Sequence, residues 1–464
     1  MNYQWLNFIT ARQQLAQRLY DTAEVWTTDA ELKIYIAQAL RMFNALTYTW
    51  KVDYAFNPIT LWTALGSVAD SPRKRTLTDV DCYTQMENML LEPPSGGTWT
   101  GTPQFSIADF SQALQRRRDE ILQVTNCNQQ LMQDIPLTPN TRRTVLPDNV
   151  IETARVRYVP LLPPGSGYGE GGYGEGGYGG GPIGGRVGVT LYRDDTIAQE
   201  FFEADYLQAQ PGTPQTFMLS SEPPLSWDVD IPPNLPGTYE AVVLESGTPF
   251  NPPAAATLLN IPDDFAWVLI WGALSDLLSR ESEAVDRQRA DYCLKRYLDG
   301  LNLMLKSPWI MLAKVAGVAV TTQSIVAADR YSPEWDSNAT GFGPFIVTGG
   351  IDFFAAPANT SIGLTVLGNA PIPVADNDFV QVSRSNWDTV LDLAQAFACF
   401  KIGGEEFQAA LELETRAVQA CAAENSRLKS TGSFADILVQ RGGQQDRDQE
   451  RYATAAAAQP ARSR

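Results

Sequence analysis

No histidine occurs among the 464 residues of this chain, and that absence excludes a large part of enzyme chemistry. Without imidazole there is no Ser-His-Asp or Cys-His nucleophile, no HExxH zinc site and no histidine general base. Cysteine is scarce as well. Cys82, Cys127, Cys293, Cys399 and Cys421 are odd in number, form no CxxC pair and read as reduced core residues of a protein assembled in the cytoplasm. Long apolar runs are missing: the longest, Phe265 to Leu274, falls well short of the roughly 20 residues a membrane-spanning helix needs, so no span is expected. The opening MNYQWLNFITARQ has no charged region ahead of a hydrophobic block, and no secretory signal is expected. Phosphate loops are absent too, since GxxxxGK[ST] does not occur and no GxGxxG lies between a predicted strand and helix.

Positive charge is in the minority, with 35 Lys and Arg against 53 Asp and Glu, a net charge of −18. Gripping nucleic acid through its phosphates requires clustered cations, so this balance points instead to solubility, or to a surface that repels DNA while letting it pass. The length suggests two or three domains, each able to bury a core.

What is present begins with two capped helices. Thr28 followed by Glu31 is a capping box, and Leu32, Tyr35, Ile36, Ala39, Leu40 and Phe43 continue it as one apolar stripe. Ser106 with Asp109 is the aspartate variant, followed by Phe110, Ala113, Leu114, Ile121 and Leu122. The run Arg116, Arg117, Arg118 does not make one patch on a helix, because successive residues point about 100° apart. Asp119 and Glu120 offer it local salt bridges, with a subunit contact as the other reading. From Ile261 to Leu305 a helical hairpin is expected. Pro262 suits its first turn, Asp263 and Asp264 complement the helix dipole, and Trp267, Ile270, Trp271, Leu274, Leu277 and Leu278 form a broad apolar face.

Between the helices the pattern is β. Phe217, Trp227 and Tyr239 are candidate core aromatics among Pro-Gly turns. Tyr168-Gly-Glu-Gly-Gly recurs at Tyr173 and, shortened, at Tyr178; glycine of this density favours a flexible loop, with adhesion through exposed tyrosines as the alternative. The expected fold class is α+β, with N- and C-terminal helical bundle elements and inserted antiparallel β-sandwich-like modules. The expected divisions are 1–135 helical, 136–260 β-rich with a Gly-Tyr loop at 164–185, 261–311 a helical hairpin, 312–382 a second β-rich module, 383–428 helical, and 429–464 a flexible arm.

Two segments carry a family resemblance. Trp26, the run YIAQALRMFNAL from Tyr35 to Leu46, and Trp50 resemble the opening of neck proteins of tailed bacteriophages. The second is Pro262, Asp263, Gly272, Ala273, Leu274, Asp276, Leu277 and Leu278, followed by Arg289, Ala290, Tyr292, Cys293, Arg296, Tyr297 and Gly300. The resemblance covers about a quarter of the chain. It implies a structural virion protein, not an enzyme and without cofactor, in a head-to-tail connector ring. Such a ring is assembled in the host cytoplasm, with 12-fold symmetry expected from the family. Its partners would be the portal protein and adjacent neck or tail proteins, and genomic DNA would pass through the lumen without sequence-specific binding. Interface candidates are Trp267, Trp271, Arg289, Arg296 and Tyr297 on the hairpin, and Arg441, Arg447 and Arg451 in the terminal arm. Two other classes compete. A host-recognition or fibre-associated protein would use the β inserts and the tyrosine loop. A wall-degrading enzyme would need paired carboxylates, such as Asp194 with Asp195 or Glu405 with Glu406.

Overall fold

The computed structural model describes residues 3–23, 26–57, 62–64, 73–90, 105–161, 189–196, 199, 206–220, 225–250, 256–280, 286–307, 309–325, 327–328, 345–349, 353–355, 360–402 and 404–430. The Gly-Tyr loop and residues 431–464, with Arg441, Arg447 and Arg451, lie outside them.

A leading helix α1 (Phe8–Arg18) precedes α2 (Asp29–Thr47), which opens on the Thr28–Glu31 capping box and closes on Tyr48 in the left-handed conformation. Strands β1 (Lys51–Phe56) and β2 (Trp62–Ala64) follow, then α3 (Asp79–Leu90). Helix α4 (Ile107–Thr125) repeats the design of α2: it too is 19 residues long, with a capping box from Ser106 and Asp109 and a left-handed C-cap at Asn126. Each left-handed cap donates its N–H to the carbonyl four residues back, so the helix stops with that carbonyl satisfied. Next come β3 (Gln129–Pro136), β4 (Arg143–Val145), β5 (Val150–Pro160), β6 (Val189–Asp194), β7 (Thr216–Ser220), β8 (Ser226–Val229) and β9 (Gly237–Glu245). The expected hairpin is α5 (Ala266–Ser279) packed on α6 (Arg287–Lys306). The chain then forms β10 (Ile310–Val315), β11 (Val318–Ser324), β12 (Phe345–Gly349), β13 (Phe353–Ala355) and β14 (Ile362–Leu367), and ends in α7 (Trp387–Ile402) and α8 (Gly404–Ser430).

The α+β class holds, but the sheets are mixed and not antiparallel. One has the order β1-β14-β10-β11-β12-β13-β2, the other β3-β9-β5-β6-β7-β8-β4. Numbered within each sheet along the chain, both read first, seventh, third, fourth, fifth, sixth, second. All six pairings agree in sense as well. Only fourth with fifth is parallel, β11 with β12 and β6 with β7. In each sheet the fourth strand gives its first half to the third strand and its second half to the fifth. Each sheet is thus two half-sheets joined through one strand. Register matches too: Lys51 faces Leu367 as Gln129 faces Leu244, and Gly368 N donates to Trp50 O as Glu245 N donates to Asn128 O.

The chain therefore holds two copies of one module. The inner module runs without interruption from α4 through β3–β9 to α5 and α6. The outer module consists of α2, β1, β2, β10–β14, α7 and α8, and the inner one is inserted between its second and third strands. Helix contacts repeat accordingly: α2 packs on α7 and α8, and α4 on α5 and α6. The divisions drawn from sequence at 135/136 and 311/312 cut across this nesting, because pairing of β1 with β14 and of β2 with β13 is invisible to local patterning. The helices of both modules share one apolar core. The inner sheet has its own, where Tyr158, Phe217, Trp227 and Tyr239 meet, and the outer sheet another, from Ala313, Ile346, Ile362, Leu364 and Val366. All five cysteines are buried, and burial raises the thiol pKa of Cys82, Cys293, Cys399 and Cys421.

Candidate functional site: the seam between the modules

Helix α5 is apolar around almost its whole circumference, Asp276 and Ser279 aside, which requires cover on nearly every side. Helices α4 and α6 of the inner module, together with α3, cover much of it, and the side that carries Trp271 faces the outer module. There Trp271 stacks on Phe397 of α7 at 5.8 Å between centroids and meets Phe400 edge-on at 4.8 Å. Tyr292 of α6 adds contacts to Phe400 and to Phe407 of α8. Aromatic pairs in these geometries contribute about 0.5–1.5 kcal/mol each beyond area burial.

One cation is set into this aromatic cluster. The guanidinium of Arg296 lies 5.6 Å from the ring of Trp267 and 5.7 Å from that of Trp271. It donates to Glu414 of α8 and to the sulfur of Met42 on α2. Tyr292 also donates to Glu414, and burial, ahead of the neighbouring charges, raises its phenol pKa well above the ordinary value. Arg296 and Glu414 are both nearly buried, so each is the other's main compensation for lost hydration. Beside them Arg289 lies over Phe400 at 4.4 Å and donates to the Met89 carbonyl at 3.0 Å.

A second polar tie closes the other end of the seam. Asp264 accepts from Asn44 of α2 and from the Ala370 amide, and its carboxyl is pushed up to about 7, chiefly by burial. Asp263 accepts from Thr76 N, Thr76 Oγ1 and Leu77 N. Both sit in the 3-10 turn that leads directly into α5, the position expected from sequence, and neither makes a capping hydrogen bond there. Acids just ahead of a helix usually face solvent, but here two other segments of chain converge on them.

The interface candidates on the hairpin need the same correction. Trp267, Trp271, Arg296 and Tyr297 are buried within the folded chain, and Arg289 is largely so. Trp267, Trp271, Arg289 and Arg296 pack at the seam within the chain. Tyr297 does not reach the seam at all: it packs inside the inner module, with Arg117 over its ring at 4.7 Å and Gly272 against its edge. In the arginine run, Arg117 pairs with Asp276 and Glu120, and Arg118 is buried with its guanidinium over Phe250, while Arg116 points outward near Asp276. Local pairing of Arg117 with Glu120 and of Arg118 with Asp119 is present as expected, but Asp276 of α5, the bidentate partner of Arg117, is a tertiary contact that sequence did not foresee. Sequence reasoning missed Met42, Phe397, Phe400 and Glu414. The available signal was on α7, where Phe397 lies two turns from Val390 at the edge of the apolar stripe of Val390, Leu391, Ala394 and Ala398, and Phe400 widens that stripe one turn further on.

The contact is one-sided. Helix α2 packs against the segment 263–265 ahead of α5, whereas the contacts of α4 are with α5, α6, β9 and α3. A two-fold arrangement would make both contacts at once; this one is head-to-tail. The cavity at the seam, lined by Ile34, Tyr35, Gln38, Trp267 and Trp271 among others, holds about 10 Å³, room for about one water. Its walls pack modules together and leave no space for a substrate. Among the described residues no group of His, Cys, Asp and Glu is placed to hold a metal ion, and no helix is long and apolar enough to cross a membrane.

The fold and seam define a two-module α+β protein stacked head-to-tail. The chain matches no protein-family model and no curated protein.

Proposed function

We propose that this chain is a structural virion protein of a tailed phage, one subunit of a neck or connector ring that joins portal to tail and lets DNA pass. The observation that carries this reading is the head-to-tail stacking of two like modules, because heterologous contacts of that kind are what generate rings. The net charge of −18 supports a lumen that denies DNA the salt bridges that would retain it. In this reading the folded sheets act as sandwich-like modules facing outward or toward the tail, and the helical block meets the portal or an adjacent ring. In the same reading the terminal arm expected over 429–464 would cross to a neighbouring component. Cryo-electron microscopy of particles from the source virus tests it. The expected result is a ring of this chain on the axis between capsid and tail; density at the tail tip, on the particle surface or nowhere in the particle overturns it.

A further inference from the structure

The outward side of α6 carries a row of leucines that meets solvent. Leu294, Leu298, Leu301 and Leu305 follow one another at intervals of four, three and four residues, the spacing of a seam between two helices. Leu301 is buried at the inner border of the row, but Leu294 is 39% exposed, Leu298 48% and Leu305 54%. The matching helix of the outer module has no such row. Cys293, Gly300 and Met304 of α6 face the core at the same intervals as Ala410, Ala417 and Cys421 of α8, which sets Thr415 and Ala422, both exposed, at the positions of Leu298 and Leu305. Leu411, the counterpart of Leu294, packs against the core. One helix of the pair thus turns polar or small residues to water and the other an apolar seam, the mark of a surface with an occupant.

A segment of matching character follows α8 in the sequence. Phe434, Ile437 and Leu438 fall at the i, i+3, i+4 spacing of one apolar helix face, and Ser433 stands to Asp436 as Ser106 stands to Asp109 at the start of α4. Past Val439 the only large apolar side chain is Tyr452. The end of α8 also lies at the right end of α6. Asn425, near the end of α8, donates to the Leu46 carbonyl at the end of α2, and two residues on, Tyr48 is hydrogen-bonded to Ser307, which closes α6 just past Leu305. The four steps from Ser430 to Phe434 reach about 14 Å when extended, enough to cross a helix about 10–12 Å wide.

We propose that residues 434–441 dock on the leucine row of α6 in the same chain, antiparallel to it, from Leu305 toward Leu294. Phe434 then meets Leu305, and Ile437 and Leu438 meet Leu301 and Leu298. Charge agrees with this direction. Asp436 comes beside Lys306, and Arg441 reaches the far end of the row, where two exposed acids, Asp291 and Asp299, outnumber Lys295. The contact takes out of water the leucines that the modules leave there, which is its driving force. It stands apart from the ring reading, for which residues 442–464, with Arg447 and Arg451, stay free to reach a neighbouring component.

The test is cross-linking of the full-length chain carrying Asn302→Cys and Ala435→Cys with a short bis-maleimide, beside a control that pairs Ala435→Cys with Gln419→Cys on the exposed side of α8. The five native cysteines are buried, so the parent chain is the blank. The expected result is a link within one chain, at monomer mass, in roughly tenfold higher yield for the Asn302 pair than for the Gln419 pair. Adding Ile437→Ser and Leu438→Ser to the first pair removes that excess, while circular dichroism shows the fold retained. Equal yields for the two pairs, or an excess that persists in the serine variant, overturn the docking. A product that joins two chains overturns its placement within one.

Discussion

The two modules share every strand pairing, and among the described side chains the inner sheet closes over Tyr158, Phe217, Trp227 and Tyr239, rings in edge and tilted contact, while the outer sheet buries Ala313, Ile346, Ile362, Leu364 and Val366. Topology in this protein is set by cap position, turn length and register, and volume and apolarity suffice for the interior. The helices differ in a more telling way. At matching positions α2 is covered on two sides and α4 on one, so the same helix design serves as an internal partition in one module and an outer wall in the other.

The largest effect that would sharpen this contrast is expected at the seam. Trp271→Ala should cost about 3–5 kcal/mol in chemical denaturation, because it removes the ring on which Phe397, Phe400 and Tyr292 converge. Val124→Ala, on the solvent-exposed face of α4, should change stability by less than about 0.5 kcal/mol. Similar costs for the two would break the partition-and-wall account.

A smaller effect concerns the Asp264 tie. Folded, its carboxyl holds a proton up to about pH 7; unfolded, it titrates near the ordinary 3.8. The folded state thus binds more protons between those limits. Its stability is greatest below the lower one and declines as pH rises to about 7. Asp264→Asn imitates the protonated carboxyl and should flatten that decline, by on the order of 4 kcal/mol between pH 4 and pH 8. Melting curves across that range check it, and an unchanged slope would place the titration elsewhere.

The smallest expected effect tests whether the modules are equivalent at their starts. Thr28→Ala and Ser106→Ala should each cost about 1 kcal/mol, since both delete one half of a capping box at an exposed helix end. A cost confined to one of them would mean that the two helices nucleate differently.

Both boxes were legible in the sequence, as were the α5–α6 hairpin and the aromatic interior of the inner sheet, because these signals are local. The duplication was not. Beyond cap, length and register, α2 and α4 have few residues in common, and the strands that complete the outer sheet lie on either side of the whole inner module. The parallel pairs escaped for the same reason, as nothing near β6 or β11 announces the partner's direction. Site residues were misplaced where a helix is apolar nearly all round: no apolar face of α5 can be read as outward when nearly every face is covered. The acids at 263 and 264 were legible as a helix start but not as buried ties, since Asn44, Thr76 and Ala370 reach them from distant parts of the chain.

The nesting also sets a timetable for synthesis. Strand β2 ends at Ala64 and β10 begins at Ile310, so the outer sheet cannot close until the whole inner module has left the ribosome. At roughly 5–20 residues per second that delay is some tens of seconds. All the strands of the inner module are contiguous, so it can be complete while β1 and β2 still lack partners, and the Trp271 face is then already in place when α7 emerges. The inner copy is in this sense the mould on which the helices of the outer copy are cast.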